Sequence, residues 1–374
     1  MNFNRTISAP VFDDLPEKMV LIGGPRQVGK TTLARTFITS QEQYFSWDDL
    51  DDRAQLKKHK VDVELGTVVL DEIHKYARWR TLLKGLYDTN AGALKILVTG
   101  SARLDHFRRG GDSLFGRYFY YRLHPLSLGE VDSKFGTETL ERLEKFGGFP
   151  EPFVKKSETF LRRWHRERRS RVINQDLNDL TLVKQISLLE VLADLLPNKV
   201  GSPLSIKSIQ EDLEVSPNTV SAWIQLLEMV YYCYRIFPFG APKVRAVKKA
   251  AKLYLWDWSE IEDAGARREN LVASHLLKYC HWMEDVKGHK MELRYLRDVQ
   301  GREVDFVVIQ DKKPLFAVEV KSGAREISKN IEYFRDRTPI PKFYQVHFAE
   351  GRYLDKKLEV LPFTLFCREV LEGV

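Results

Sequence analysis

Along the first 130 residues, short apolar runs of strand length alternate with stretches of helical spacing. This pattern predicts an α/β layer structure built on a parallel sheet. The expected strands are Met19–Gly23, Tyr44–Trp47, Thr67–Asp71, Lys95–Gly100 and Tyr118–Leu123, with helices between them. From about 138 to 200 only helical patterns occur, and Leu188, Leu189, Leu192, Leu195 and Leu196 recur at helical spacing. Residues 203–240 predict a helix–turn–helix and a strand. Ile206, Ile209 and Leu213 stripe the first helix. Ser216 caps the second and Pro217 opens it, with Val220, Trp223, Ile224 and Leu227 as its stripe. Tyr231–Phe237 is the expected wing strand of a winged helix. Residues 250–374 return to mixed α/β. Gly147-Gly148-Phe149-Pro150, Pro197–Pro203 and Pro238–Pro242 mark joints, and the expected units are 1–135, 136–200, 201–245 and 246–374.

Chemistry enters at the end of the first strand. Gly24-Pro25-Arg26-Gln27-Val28-Gly29-Lys30-Thr31 fits the phosphate-binding pattern G-x-x-x-x-G-K-[ST], and Thr32 continues into a helix. The glycines let backbone N–H groups wrap phosphates, Lys30 reaches the β- and γ-phosphates, and Thr31 ligates Mg²⁺. Thr67–Asp71 is an apolar strand ending in Asp71-Glu72, the expected second half of an ATP site. Asp71 holds Mg²⁺ through water and Glu72 polarises the attacking water. Thr99 and Ser101, at the end of the next strand, stand where a γ-phosphate sensor is expected. His74 is read as structural.

These segments, with Ser113-Leu114-Phe115-Gly116-Arg117, resemble AAA+-type ATPases of one prokaryotic family. Its members carry a C-terminal domain of unknown function with a restriction-endonuclease-like core. Gly147–Pro150, Val172-Ile173-Asn174-Gln175-Asp176-Leu177, Glu303-Val304-Asp305-Phe306 and Glu319-Val320-Lys321 agree with that resemblance. The expected architecture is therefore a P-loop, AAA+-like domain, a helical and winged-helix middle, and a mixed α/β endonuclease-like end. The resemblance implies ATP hydrolysis coupled to motion, with a homo-oligomer or ring in which a neighbouring subunit donates an arginine finger. Arg117 is the first candidate, Arg103, Arg108 and Arg109 are rivals, and a strand-start salt bridge is the alternative for Arg117.

The C-terminal acids carry a geometric argument. Glu303–Ile309 and Leu315–Lys321 read as a hairpin around the loop Gln310–Pro314, and a register centred on Lys312 sets Asp305 opposite Glu319. Like charges ~5 Å apart repel, so a cation is expected between them. Lys321 projects from the same face as Glu319. Glu269 extends the buried stripe Val272, Ala273, Leu276 and Leu277. Glu269, Asp305, Glu319 and Lys321 match the order of a PD-(D/E)xK nuclease core. In such a core Asp305 and Glu319 hold Mg²⁺ and Lys321 orients a water. The alternatives are a buried Lys–carboxylate network or a decayed nuclease.

Composition adds one refinement. The chain has 374 residues, 43% hydrophobic and 30% charged, which excludes a disordered chain. It has no 18-residue apolar run and no signal-like start, so no membrane partner and a cytoplasmic location are expected. Cys233, Cys280 and Cys367 form neither a disulfide framework nor a zinc pattern. The net charge of +7 is concentrated. Residues 161–172 carry +5 through Arg162, Arg163, Arg166, Arg168, Arg169 and Arg171 against Glu167. Residues 243–252 carry +5 through Lys243, Arg245, Lys248, Lys249 and Lys252, leaving −3 for the rest. Such patches suit nucleic acid, DNA in the first instance, though a solvated face and loop remain the alternative. The second helix of the helix–turn–helix has polar Asn218, Thr219, Ser221 and Gln225 but no Lys or Arg, which favours packing over base reading. Two functions stay open: an ATPase acting on nucleic acid, or a nucleotide-dependent switch that binds a protein partner and whose nuclease-like end is inactive.

Overall fold

The computed structural model describes residues 3–58, 61–90, 92–101, 114–177, 185–239, 250–323, 327–355 and 358–371. Its first sheet contains β1 (Met19–Gly23), β2 (Tyr44–Ser46), β3 (Thr67–Asp71), β4 (Lys95–Gly100) and β5 (Tyr118–Arg122). All pairings are parallel, in the order β2-β3-β4-β1-β5. This is a P-loop NTPase α/β fold. The apolar runs are continuous because both faces are covered. Met19, Leu21, Val68, Leu70, Ile96 and Val98 pack on one side with Trp79, Leu82, Leu83 and Leu86 of the helix Trp79–Thr89. The intervening Val20, Ile22, Val69 and Leu97 pack on the other with Val11, Leu33, Phe149 and Trp164. Strand alternation thus feeds two cores from one run of residues. Each fully buried aliphatic side chain contributes ~1.5–3 kcal/mol.

The second sheet contains β6 (Cys233–Pro238), β7 (Lys252–Leu255), β8 (Met291–Arg297), β9 (Glu303–Gln310), β10 (Lys313–Lys321), β11 (Phe343–His347), β12 (Tyr353–Asp355) and β13 (Leu358–Pro362). It is mixed, in the order β12-β13-β11-β10-β9-β8-β6-β7. The expected wing strand is β6. It pairs antiparallel with β7 and parallel with β8, so it is an integral strand of this sheet rather than a free wing. The helices Ile206–Leu213 and Pro217–Met229 form as expected, and the Ser216 side chain caps the second by accepting from the Thr219 N–H. Their stripes, Ile209, Leu213, Val220, Trp223, Ile224 and Leu227, share one core with Leu189, Leu192, Tyr254, Leu271 and Phe306. The helix–turn–helix is therefore packed into the C-terminal unit.

The β9–β10 hairpin corrects the loop but keeps the register. Its turn is the pair Asp311-Lys312, both left-handed at φ 50° and 70°. An irregularity between Pro314 and Phe316 absorbs one residue, after which Phe306 pairs with Val318. The next position on each strand is Asp305 and Glu319.

The 24-residue helix Ala264–Lys287 joins the two units. Arg122 of β5 pairs with Glu284 at 2.7 Å and Asp285 at 2.5 Å. His124 Nε2 lies 2.7 Å from His281 Nδ1. Deeper in, Glu130 pairs with Lys278 at 2.6 Å and Arg5 at 3.2 Å. These cations hold the Glu130 carboxyl down at about 2 despite burial.

Candidate nucleotide site and a second carboxylate cluster

The P-loop turns through two left-handed residues, Gln27 at φ 64° and Gly29 at φ 100°, before the helix Lys30–Ala34. Gly29 is the residue type that adopts this conformation freely. Lys30 is 5% exposed and its Nζ donates to the carbonyls of Gly24 at 3.0 Å and Pro25 at 2.8 Å. Thr31 Oγ1 donates to Asp71 Oδ2 at 2.8 Å, as does the Tyr44 hydroxyl at 2.5 Å. The Thr99 hydroxyl donates to Asp71 Oδ1. Burial alone pushes the Asp71 carboxyl up, but donors Thr99, Tyr44 and Thr31, with the Lys30 charge, bring it below its ordinary value. Glu72 sits next to it in a left-handed conformation, φ 56°, its N–H on the Thr99 carbonyl at 3.1 Å. Burial raises the Glu72 carboxyl against the pull of Lys30. Ser101 Oγ donates to Glu72 Oε2 at 3.2 Å, and His74 lies 3.6 Å from the same oxygen.

In this structure the two expected sensors contact the acids beside them. Thr99 is fully buried and spends its hydroxyl on Asp71, and Ser101 serves Glu72. Sequence reasoning missed Tyr44, whose hydroxyl reaches Asp71 from the neighbouring strand.

A cleft of about 700 Å³ opens over these groups, lined by Arg26, Gln27, Lys30, Thr31, Thr32 and Tyr44 among others, with Asp71 and Glu72 on its floor. Pro150, Glu151, Val154 and Lys155 close one side. The Gly147–Pro150 motif puts them there. A Cβ on Gly147, φ 75°, would stand 2.7 Å from Asp257 Oδ1, so only glycine lets the chain pass. Phe149 is fully buried against Trp164, and Pro150 opens the helix Pro150–Lys155 that faces the cleft. Gln175 of the second motif accepts from Arg26 Nη1 at 3.4 Å. Arg5 donates to the Val28 carbonyl of the P-loop at 2.9 Å and to Glu130, so one guanidinium ties the loop to the Glu130–Lys278 pair.

Thr31 and Asp71 present a hydroxyl and an ionised carboxylate side by side beneath a phosphate-binding loop. That oxygen donor set fits Mg²⁺ carried by a nucleotide.

The C-terminal cluster has a different balance. Lys252, placed above in a basic surface segment, is 1% exposed. Its Nζ lies 2.5 Å from Glu303 Oε1, 3.2 Å from Glu269 Oε1 and 3.8 Å from Asp305 Oδ1. Tyr254, two residues on, donates to Glu269 Oε1 at 2.8 Å. Lys321 pairs with Glu319 Oε1 at 2.8 Å, Ser328 donates to the same oxygen at 3.1 Å, and the Val320 N–H donates to Asp305 Oδ2 at 2.8 Å. The structure therefore brings Glu269, Asp305, Glu319 and Lys321 into one neighbourhood. It adds Lys252 and Glu303, which sequence reasoning left out. Burial and Asp305 raise the Glu269 and Glu319 carboxyls to about 7. Among the described residues, no three His, Cys, Asp or Glu side chains are grouped to hold a metal ion. The residues do not fit Mg²⁺: Asp305 faces the Lys252 ammonium at 3.8 Å and Glu319 the Lys321 ammonium at 2.8 Å, so each acid already has a cation of its own.

The basic helix Glu158–Arg171 is also corrected. Leu161, Trp164 and Arg168 share its buried face. Arg168 is 1% exposed, lies 4.3 Å over the Phe149 ring and pairs with Glu260 at 3.2 Å. Arg169 pairs with Glu260 and Asp194. These two brace the fold, whereas Arg162, Arg163 and Arg166 are exposed. Lys243, Arg245, Lys248 and Lys249 lie outside the described residues, as do Arg103, Arg108, Arg109 and Ser113. Arg117 forms a bidentate pair with Asp88, at 2.7 and 3.1 Å, at the start of β5. The strand begins there and the P-loop follows the far end of parallel β1, so Arg117 lies at the opposite end of the strands from its own cleft.

Comparison with known proteins agrees with the N-terminal reading. Residues 16–132 match the model of an AAA domain. Residues 137–259 and 264–366 match two domains of unknown function, DUF8612 and DUF4143. Uncharacterized proteins of Mycobacterium bovis and Mycobacterium tuberculosis are each 24% identical over 242 residues, covering 64% of this chain and 54% of theirs. The match thus spans about half the length of these relatives. An uncharacterized protein of Methanocaldococcus jannaschii is 25% identical over 395 residues, covering 84% of this chain and 78% of its own. Among solved structures, that of the Aeropyrum pernix ORC1 protein in complex with DNA is 14% identical with a TM-score of 0.33, covering 71% of this chain and 90% of that one. No described helix is long and apolar enough to cross a membrane. The N-terminal unit is a P-loop NTPase fold whose sequence matches an AAA domain.

Proposed function

We propose that this protein binds ATP with Mg²⁺ in the P-loop cleft and hydrolyses it. The observation that carries the reading is the contact of the Thr31 hydroxyl with the Asp71 carboxylate at 2.8 Å, directly beside Glu72 and beneath the P-loop. Bound Mg²⁺ supplies charge neutralisation at the β- and γ-phosphates. Thr31 and Asp71 hold it. Lys30 exchanges its loop carbonyls for phosphate oxygens, and the backbone N–H groups of the P-loop bind the remainder. Glu72, raised by burial, orients a water and accepts its proton, while Ser101 fixes its carboxylate. An adjoining hollow of about 350 Å³, lined by Phe3, Arg5, Ser8, Leu33 and Thr36, offers room for the nucleoside.

The same proposal includes coupling to nucleic acid, DNA first. Exposed Arg162, Arg163 and Arg166, with the segment holding Lys243, Arg245, Lys248 and Lys249, supply the cations. A neighbouring copy in a homo-oligomer supplies Arg117 as the finger. The second reading, a nucleotide switch for a protein partner, is favoured by Arg5, which links the P-loop carbonyl of Val28 to Glu130 and the long helix.

The test is ATP turnover with and without single-stranded, double-stranded and branched DNA across a salt series. Stimulation that falls steeply with salt supports coupling. Turnover indifferent to every DNA, with no retarded complex at low salt, removes the nucleic-acid part. Arg117→Ala should lower turnover by about 10³-fold if a neighbour uses it as a finger, and wild-type rates in that variant would assign Arg117 to its Asp88 pair alone.

A further inference from the structure

Two ammonium groups and four carboxylates interleave on one face of the C-terminal sheet. Glu269, Glu303 and Asp305 surround Lys252 Nζ within 2.5–3.8 Å, and Lys321 takes Glu319. Lys252 is almost wholly buried in this arrangement. It opens β7, is 1% exposed, lies 5.7 Å over the Tyr295 ring, and its backbone bridges to Pro203. Withdrawing it would leave a buried ammonium without carboxylates and carboxylates without a cation, the costly half of breaking a buried pair. A divalent ion needs the same oxygens at ~2.0–2.6 Å, which a resident ammonium excludes by both charge and volume. Glu319 Oε2 is buried without a hydrogen-bond partner, a spare oxygen ligand beside the cluster.

We propose that the Lys252 ammonium is the resident cation of this cluster, in the place a divalent metal would take, and that the carboxylates become a metal site only when Lys252 is removed. The charge balance makes the direction specific. With Lys252 present, the four carboxylates face Lys252, Lys321 and Arg297, which pairs with Glu303 Oε2 at 2.9 Å, so the formal balance offered to a further cation is only −1. Without it, Glu269, Glu303 and Asp305 are left together in a half-buried setting, which a hard divalent ion relieves.

The experiment is a Mn²⁺ titration of the full chain without nucleotide, in an Asp71→Ala background that removes the P-loop metal position, read by the electron paramagnetic resonance of free Mn²⁺. The background protein should show no saturable site up to millimolar Mn²⁺. Adding Lys252→Met should create one site, which a further Asp305→Asn removes. Mn²⁺ should also recover most of a Tm loss of about 10 °C in the Lys252→Met protein while leaving the parent Tm unchanged. A saturable site in the Lys252-containing protein that Asp305→Asn or Glu319→Gln abolishes would overturn the proposal. So would a folded Lys252→Met variant that binds no Mn²⁺. If Lys252→Met fails to fold, Lys252→Gln replaces it, and the parent titration still decides whether the wild-type cluster takes a metal.

Discussion

Two sites in this protein place carboxylates at the ends of apolar strand runs, and they are solved in opposite ways. At β3, Asp71 is ringed by hydroxyl donors, Thr31, Tyr44 and Thr99, which stabilise its charged form without supplying a permanent counter-charge. At β9 and β10, Asp305 and Glu319 stand among other carboxylates and two ammonium groups. Hydroxyls keep an acid ionised and leave it able to ligate a cation that comes and goes with substrate. A buried ammonium such as Lys252 stays beside its acids as a resident counter-charge. The shifts have different causes: hydroxyl donors bring Asp71 below its ordinary value, whereas burial and the Asp305 charge raise Glu319 to about 7 against the pull of Lys321. A run of acids at a strand end therefore does not identify a metal site. Its neighbours' chemistry does.

The largest effects should separate the two sites by function. Lys30→Ala should abolish nucleotide binding, measured by equilibrium titration with a fluorescent ATP analogue. Glu72→Gln should keep binding and lower turnover by ~10²–10⁴-fold. Lys321→Ala, at the other site, should leave both quantities unchanged. If Lys321→Ala instead slows ATP turnover as Glu72→Gln does, the sites are not independent and the contrast fails.

A smaller effect tests the hydroxyl shell itself. Tyr44→Phe removes the donor to Asp71 Oδ2 and keeps the ring, which Arg35 stacks on at 4.4 Å. The Asp71 carboxyl should rise toward its ordinary value, and the Mg²⁺ concentration giving half-maximal ATPase should increase by ~10-fold, the usual range for a residue behind a metal ligand. An unchanged Mg²⁺ dependence would show that Thr31 and Thr99 suffice.

The sequence made one of these regions far more legible than the other, for a physical reason. The P-loop, Asp71 and Glu72 lie at the ends of strands whose apolar runs mark them locally, and three of the five expected strands match their observed limits. The Phe306–Val318 register was also readable, because alternation fixes which residues face each other, although the turn had two residues rather than five. What local pattern hid were cations whose partners are distant in sequence. Lys252 closes a basic run and so looks exposed, yet it begins an apolar strand and meets acids 17, 51 and 53 positions away. Arg168 had a usable signal: it falls seven residues after Leu161 and four after Trp164, on the buried face of its helix. Counting charge by segment overlooked that periodicity. Tyr44 gave no signal, since a strand aromatic reads as core until its hydroxyl finds Asp71.

The smallest effect concerns pH. Glu319 has a folded-state value of about 7, above its ordinary 4.5. Between those values the folded state holds the proton and the unfolded chain has lost it. The stability this carboxyl contributes is therefore complete below about pH 4.5 and declines as pH rises toward 7. Glu130 acts in the reverse sense. Its value of about 2 makes it stabilising above 4.5, and that contribution disappears as pH falls toward 2. Tm measured without nucleotide should thus decline by a few degrees from about pH 5 to 7, and Glu319→Gln should flatten part of that decline while leaving the acid limb unchanged. The amide keeps the size of the side chain and can still accept from Ser328, so a loss of fold is not the expected result. A wild-type Tm that is level from pH 5 to 7, or a slope that Glu319→Gln does not reduce, would mean that Lys321 already holds Glu319 fully ionised. The two clusters would then differ in their counter-ions alone and not in their protons.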